Sequence, residues 1–208
     1  MRRGILSVVS GFSGAGKGTL MNELLKKYKN YALAVTATTR KPRPGERDGV
    51  EYFFKTREEF EQMIREDAFI EYASYVEHYY GTPRAYAEEQ LDRGKDVILE
   101  IEVQGALKVK HKFPDTLLLF VTPPSAEELE RRLTERGTES AEVIQSRMAR
   151  AAAEAGYMKD YDYIVVNDDL EECVDRMHAL IQLQHQASGR QSDFIQRIQK
   201  ELEERKEK

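Results

Sequence analysis

A glycine-rich turn between an apolar run and an amphipathic stretch holds the residues best suited to bind phosphate. It reads Gly-Phe-Ser-Gly-Ala-Gly-Lys from Gly11 to Lys17, which matches the first seven positions of the Walker A pattern. Glycines let successive backbone N–H groups converge on phosphate oxygens, and the N-terminus of the following helix adds partial positive charge. Lys17 can then reach the β- and γ-phosphates of a nucleoside triphosphate. The pattern predicts a nucleotide site, although a plain glycine-rich turn beside a surface lysine is the alternative.

The eighth Walker A position departs from the usual pattern. It normally carries a Ser or Thr whose hydroxyl binds Mg²⁺, but here it is Gly18, followed by Thr19. Neighbouring residues of a helix point about 100° apart, so Thr19 is not a direct substitute. The expected Mg²⁺ is therefore assigned to phosphate oxygens and water, with Thr19 or Glu100 as candidate protein ligands.

A second candidate phosphate site follows, where Arg40, Lys41 and Arg43 place three cations within four positions. Pro42 and Pro44 stiffen this stretch and lower the entropy cost of holding both arginines on one anion. Arginine is suited to bidentate contact with phosphate. A solvated basic turn is the alternative. In an acidic chain that already has a donor-phosphate loop, a fixed cation pair favours an acceptor phosphate.

Composition bounds the class of protein. The 208 residues are 40% hydrophobic and 33% charged with a net charge of −5, which predicts one soluble domain that recruits neither nucleic acid nor membrane by a global basic field. Cys173 is the only cysteine, which fits a reducing cytoplasm. No apolar stretch approaches the roughly 20 residues that span a bilayer. The four histidines are scattered without metal-ligand spacing and receive no role.

Apolar runs of strand length alternate with amphipathic stretches, which indicates a parallel sheet with helices on both faces. The predicted strands are 5–10, 32–36, 52–54, 69–73, 97–101, 117–121 and 163–166. The predicted helices are 17–28, 57–66, 83–93, 126–135, 141–158 and 171–184. Segment 36–82 is rich in Thr, Arg and Tyr and departs from this alternation. Beyond residue 186 the chain is strongly charged, with apolar residues at the spacing of one terminal helix.

Ordered motifs over roughly residues 4 to 183 resemble those of guanylate kinases. They are Thr38-Thr39-Arg40, Arg43-Pro44-Gly45-Glu46, Gly49 with Tyr52 and Phe54, Phe69-Ile70-Glu71, Tyr79-Tyr80-Gly81-Thr82, Gln104-Gly105, Pro123-Pro124-Ser125, Arg136-Gly137-Thr138-Glu139 and Val166-Asn167-Asp168. Together they are far more specific than the phosphate loop alone. The resemblance implies a P-loop NTPase-type α/β fold over residues 1–184, with a five-stranded parallel core at 1–35, 83–124 and 159–184. It also implies an inserted mixed α/β GMP-binding lobe at 36–82, a helical lid at 125–158 and a charged helical tail at 185–208.

The same resemblance implies transfer of the γ-phosphoryl group of ATP to GMP, and also to dGMP, with Mg²⁺. The ATP-binding residues it implies are Gly11, Phe12, Ser13, Gly14, Ala15, Gly16, Lys17, Gly18, Thr19 and Asn167. The GMP-binding residues it implies are Thr36, Arg40, Arg43, Tyr52, Glu71, Tyr80, Thr82, Glu100 and Glu102. The catalytic residues it implies are Lys17, Arg40, Arg132, Arg136 and Arg147.

The chemistry of guanine suits this assignment. Glu71 can accept from the N1–H and N2–H donors, while Thr36 and Thr82 can donate to O6. Without the resemblance, Tyr52 and Tyr80 could be half-buried strand aromatics, and Thr82 could cap the helix predicted to begin at Pro83. Many members of the family have Asp at positions 100 and 102, where this chain has Glu, so the division of work between these two carboxylates stays open.

The lid segment carries five arginines among many glutamates. Arg132, Arg136 and Arg147 match the family's lid arginines, whereas Arg131 and Arg150 are interpreted as ordinary solvated helix pairs. Two other functions are alternatives to phosphorylation of GMP: a non-catalytic guanylate-kinase-like module that binds peptides, and a monophosphate kinase of another specificity. The intact loop glycines with Lys17 argue against the first, and Glu71 with Thr82 against the second. The sequence leaves the oligomeric state open, a homo-oligomer included.

Overall fold

The carboxyl ends of five parallel strands form the edge on which the loops of the molecule meet. A computed structural model describes residues 2–75, 77–135 and 140–206. The strands of these residues are β1 (Leu6–Gly11), β2 (Tyr31–Leu33), β3 (Ala37–Thr38), β4 (Phe53–Phe54), β5 (Phe69–Tyr75), β6 (His78–Pro83), β7 (Asp96–Glu100), β8 (Leu117–Thr122) and β9 (Tyr163–Val166). The helices are α1 (Lys17–Lys27), α2 (Arg57–Arg65), α3 (Arg84–Asp92), α4 (Val103–Lys112), α5 (Ala126–Glu135), α6 (Ala141–Ala155), α7 (Leu170–Gln184) and α8 (Ser192–Lys206).

The main sheet has the order β2-β7-β1-β8-β9, and all of its strand pairs are parallel. Its central strands are mainly apolar, and their residues Val8, Val9, Ile98 and Phe120 are fully buried. Such strands form where helices cover both faces of a sheet. The predicted α/β class with a five-stranded parallel core is confirmed.

A smaller sheet lies within the segment that departs from the alternation. Its order is β4-β3-β6-β5, with β3 and β4 parallel and the other pairs antiparallel. Helix α2 covers a small core made of Ala37, Phe60 and Phe69. A capping box begins α2, because Thr56 Oγ1 accepts from the Glu59 N–H while Glu59 accepts from the Thr56 N–H.

Several elements differ from the sequence expectation. Helix α4 was not predicted, because its buried face consists of Val103, Ala106 and Val109 and is interrupted by glycine. Strands β3 and β6 were also missed, since β3 has only two residues and β6, with the sequence His-Tyr-Tyr-Gly-Thr-Pro, has no continuous apolar run. Pro83 was expected at the first helical position of α3, but it is the N-cap residue. The lid helix ends at Ala155, three residues earlier than predicted, before a short 3₁₀ turn at Met158–Asp160.

A buried carboxylate ties the N-terminus and the end of α7 to the amino end of the sheet. Asp96 is 1% exposed and accepts four hydrogen bonds. Its donors are the Ile5 N–H at 2.8 Å, Asn30 Nδ2 at 3.1 Å, Gln182 Nε2 at 2.9 Å and His185 Nε2 at 2.7 Å. Because Arg2 donates to Nδ1 of His185, the imidazole is free to donate from Nε2 to Asp96.

Replacing Asp96 by Ala should therefore lower the free energy of unfolding by about 3 kcal/mol, because buried donors lose their acceptor. Urea denaturation measures this change. Asp92→Ala is the matched control, since the pair of Asp92 with Arg3 is exposed and should contribute less than about 1 kcal/mol. Equal losses in the two variants would contradict a structural role for the buried network.

Candidate active site

The phosphate loop joins β1 to α1 and is held in the conformation that only glycine adopts easily. Gly14 and Gly16 have φ angles of 93° and 88°, and Gly16 is the N-cap residue of α1. The Lys17 ammonium lies across the loop, donating to the carbonyl oxygens of Gly11 at 2.7 Å and Phe12 at 3.1 Å. This arrangement aims a cation and the helix N-terminus at the same space.

Side chains from two other segments contact this loop, and a third side chain binds one of those segments. Asn167, which follows β9, donates from Nδ2 to the Ala15 carbonyl oxygen at 2.8 Å. Arg147 of α6 donates from Nη1 to Ser13 Oγ at 2.6 Å. Arg132 of α5 donates from Nη2 to the Asn167 carbonyl oxygen at 2.8 Å. The structure therefore brings Arg132, Arg147 and Asn167 to the phosphate loop.

Arg136, the third lid arginine predicted to be catalytic, lies outside the described residues, as does Gly137.

A serine caps the N-terminus of α5, since Ser125 Oγ accepts from the Glu128 N–H at 3.1 Å. The Glu128 carboxylate is bound by Arg131 and Arg132, which hold its pKa at about 2. Glu128 therefore orients Arg132 towards the loop.

The basic turn after β3 is organised by one carboxylate. Arg40 makes two 2.9 Å hydrogen bonds to Glu46, and the Arg43 N–H donates to the same carboxylate at 2.7 Å. These bonds hold the pKa of Glu46 below its usual range. The Arg40 guanidinium also lies 5.2 Å from the centre of the Tyr52 ring. The Arg43 side chain extends from the turn into solvent.

A cavity of about 480 Å³ opens between the basic turn and α4. Six of the predicted GMP-binding residues line it: Thr36, Tyr52, Glu71, Tyr80, Glu100 and Glu102. An adjoining cavity of about 300 Å³ shares three of them and also contacts Thr82. Arg40 and Arg43 lie on the neighbouring turn and do not line either cavity. The rings of Tyr52 and Tyr80, 6.4 Å apart, form one wall.

Glu71 and Thr82 face each other on paired strands. Thr82 Oγ1 donates to Glu71 Oε1 at 2.9 Å, and Thr82 is 1% exposed. Burial raises the pKa of Glu71, while the Thr82 bond and nearby Lys108 oppose the shift. The N-cap reading of Thr82 is wrong, because Thr82 belongs to β6 and Pro83 precedes the helix.

Glu100, the last residue of β7, and Glu102, two residues further on, have different neighbours. The pKa of Glu100 is raised because the protein partly desolvates it, and Lys17 opposes that shift. Glu102 is the N-cap residue of α4, and its carboxylate contacts Arg150 at 2.8 Å. The expected helix pair of Arg150 is present, with Glu154, and the contact to Glu102 is an addition that the sequence did not predict. Arg131 is such a pair, with partners Glu128 and Glu135.

The sequence motifs include Gln104-Gly105 without a place in the site, and Lys108 was not singled out. Lys108, Gln104 and Gly105 all line the cavity from α4. Their helix was not predicted, so the face that they share was invisible in the sequence. The spacing of Gln104 and Lys108 by four residues is the signal that could have found them.

Comparison with known proteins gives the family. The guanylate kinase family model matches residues 3–184. The chain belongs to the guanylate kinase family. A guanylate kinase of Lactococcus lactis subsp. lactis is 54% identical over 183 residues, covering 88% of this chain and 89% of the relative. One of Caldanaerobacter subterraneus subsp. tengcongensis is 48% identical over 200 residues, covering 96% and 97%.

A solved guanylate kinase structure, from Anaplasma phagocytophilum, matches with a TM-score of 0.69 and 33% identity, covering 91% of this chain and 90% of that one. The resemblance read from the sequence motifs is therefore confirmed. Within the described residues, no cluster of three or more His, Cys, Asp or Glu side chains could hold a metal ion. Across that same part of the chain, no helix is long and apolar enough to cross a membrane.

The glycines of this guanylate kinase loop differ in the space around them. A Cβ on Gly11, at φ 151°, would lie 2.0 Å from the Val121 carbonyl oxygen, whereas a Cβ on Gly18 would meet nothing within 4 Å. Gly11→Ala should therefore lower the free energy of unfolding by about 3 kcal/mol, through strain and overpacking.

Gly18→Ala is the matched control for Gly11→Ala. It should leave the stability unchanged or raise it by about 0.5–1 kcal/mol, because alanine favours a helix over glycine. Thermal unfolding of both variants, followed by circular dichroism, gives the comparison. Comparable destabilisation by the two alanines would contradict this description of the loop.

Proposed function

We propose that this chain transfers the γ-phosphoryl group of ATP to GMP, giving ADP and GDP, and that it accepts dGMP as well. The observation that carries the proposal is that the phosphate loop and the acceptor cavity meet at the carboxyl edge of the main sheet. Gly11 ends β1 and Glu100 ends β7, the strand beside it. Membership of the guanylate kinase family supports the same reaction.

The acceptor base is guanine in this proposal. Its N1–H and N2–H groups donate to Glu71, and its O6 accepts from the hydroxyls of Thr36 and Thr82. The Thr82 hydroxyl has one proton, which Glu71 accepts in this structure, so it turns from Glu71 to O6 when the base binds. Adenine presents a lone pair at N1, so the Glu71 carboxylate would be left unpaired. A site built in this way discriminates by roughly 10⁴-fold, because buried polar groups lose their partners with the wrong base. Glu102 contributes to the same cavity wall.

The acceptor phosphate binds at the basic turn. Arg40, Arg43, Tyr52 and Tyr80 supply the cations and hydroxyls, and the bonds from Glu46 keep Arg40 in place before the substrate arrives. The phosphate is itself an anionic nucleophile, so no general base is needed. The contribution of the protein is to align two anions that repel each other.

Lys17, Arg132 and Arg147 neutralise charge as it develops on the transferring group, together with Arg136 from outside the described residues. Mg²⁺ fits a site in which the phosphates and water supply most ligands, since Glu100 lies near Lys17 and the space beside Gly18 is open. Thr19 or Glu100 would supply the protein ligand. When bound, the ion neutralises charge on the β- and γ-phosphates.

A coupled assay of ADP release tests the function across GMP, dGMP, AMP, CMP and UMP. We expect turnover with GMP, weaker turnover with dGMP and roughly 10⁴-fold lower kcat/KM with AMP. A preference for AMP would refute the guanine assignment. Inactivity with every acceptor would favour the peptide-binding module instead.

Arg43→Ala separates the acceptor from the donor site. It should raise the KM for GMP about tenfold or more while changing the KM for ATP less than about twofold, since a charged hydrogen bond to phosphate is lost. Steady-state kinetics with each substrate varied in turn measures both constants. Arg47→Ala is the control, because the Arg47 side chain is exposed and pairs with Glu51. An equal rise in both KM values would contradict the placement of Arg43 on the acceptor phosphate.

A further inference from the structure

Arg150 of the lid helix α6 holds two carboxylates at once. Its Nε donates to Glu154 Oε1 at 2.8 Å, and its Nη2 lies 2.8 Å from Glu102 Oε1. Glu154 is one turn further along α6 and is 7% exposed. This buried carboxylate holds the Nε–H of the guanidinium, and Nη2 extends from there to Glu102.

Glu102 belongs to a different part of the molecule from α6. It caps α4 and lines the acceptor cavity together with Glu71 and Glu100. Three carboxylates in one cavity wall repel an incoming nucleotide that carries a phosphate. The Arg150 cation offsets the charge of Glu102 and holds its carboxylate in one position.

The same helix face also reaches the phosphate loop. Arg147 precedes Arg150 by three residues, so the two side chains lie on one face of α6. Arg147 contacts Ser13 in the loop while Arg150 contacts Glu102 in the acceptor cavity. Helix α6 therefore spans the space between the donor and the acceptor sites.

We propose that Arg150 is a positioning residue that couples the lid to acceptor binding through Glu102, an inference that rests on the proposed function. The pair with Glu102 sets the position of α6, and the position of α6 sets where Arg147 meets the phosphate loop. Loss of Arg150 should weaken acceptor binding through Glu102 and slow transfer through Arg147. The donor KM should change little, because the loop, Lys17 and Asn167 stay in place.

Kinetics of Arg150→Ala test this coupling. We expect the KM for GMP to rise about fivefold and kcat to fall severalfold, on the scale of one partly exposed ion pair, with a change in the KM for ATP below about twofold. Arg150→Lys should recover only part of the loss, since a lysine ammonium does not have the two separate nitrogens that contact Glu154 and Glu102. Arg131→Ala is the matched control, because its two ion pairs lie within α5. It should behave as wild type.

A double-mutant cycle isolates the contact itself. Glu102→Gln removes the charge of the partner, so adding Arg150→Ala to that background should raise the KM for GMP much less than it does in the wild type. Additive effects of the two substitutions would overturn the proposal.

Hydrogen exchange of the nucleotide-free protein supplies a readout that needs no activity. Glu102→Gln should increase amide exchange within α6 severalfold, although it changes no residue of that helix, whereas Arg131→Ala should not. Wild-type exchange in α6 of Glu102→Gln, or wild-type kinetics of Arg150→Ala in an active enzyme, would overturn the coupling. A wild-type protein inactive with GMP would refute the proposed function instead, and the exchange experiment would still decide whether the pair holds the lid.

Discussion

The close approach of β1 to β8 is the constraint on which the site depends. The Cα of Gly11 lies so near the Val121 carbonyl oxygen that no side chain fits between them. This contact lets β1 sit between β7 and β8 and still turn directly into the phosphate loop. The donor loop, Glu100 and Asn167 then share one edge, because the strands that carry them are parallel.

Positive charge is concentrated at that edge, although the chain as a whole has a net charge of −5. Three of the arginines described there are held by carboxylates before any substrate binds: Arg40 by Glu46, Arg132 by Glu128 and Arg150 by Glu154 and Glu102. Each carboxylate limits the rotamers of its arginine, so less entropy is lost when an anion arrives. An acidic protein can therefore bind two anionic nucleotides at one place.

Much of the fold could be predicted because its signals are local. The strands β1, β8 and β9 were expected within two residues of their observed ends, since each is a mainly apolar run of strand length. Helix α4 and strands β3 and β6 could not be predicted, because tertiary packing overrides weak propensity there. Two of these elements contribute to the acceptor cavity: α4 supplies Gln104, Gly105 and Lys108, and β6 supplies Tyr80.

The sequence by itself determined the phosphate loop, the basic turn and the family, because each depends on residue types at short fixed spacings. Only the tertiary structure decided that Glu100 lies near Lys17 while Glu102 pairs with a lid arginine, Arg150. Arg131 and Arg150 each have a glutamate four residues further on, yet Arg131 closes its ion pairs within α5, while Arg150 pairs with Glu154 and also bridges to Glu102. That difference comes from where α6 packs against the sheet edge, a contact between residues nearly fifty positions apart in the chain.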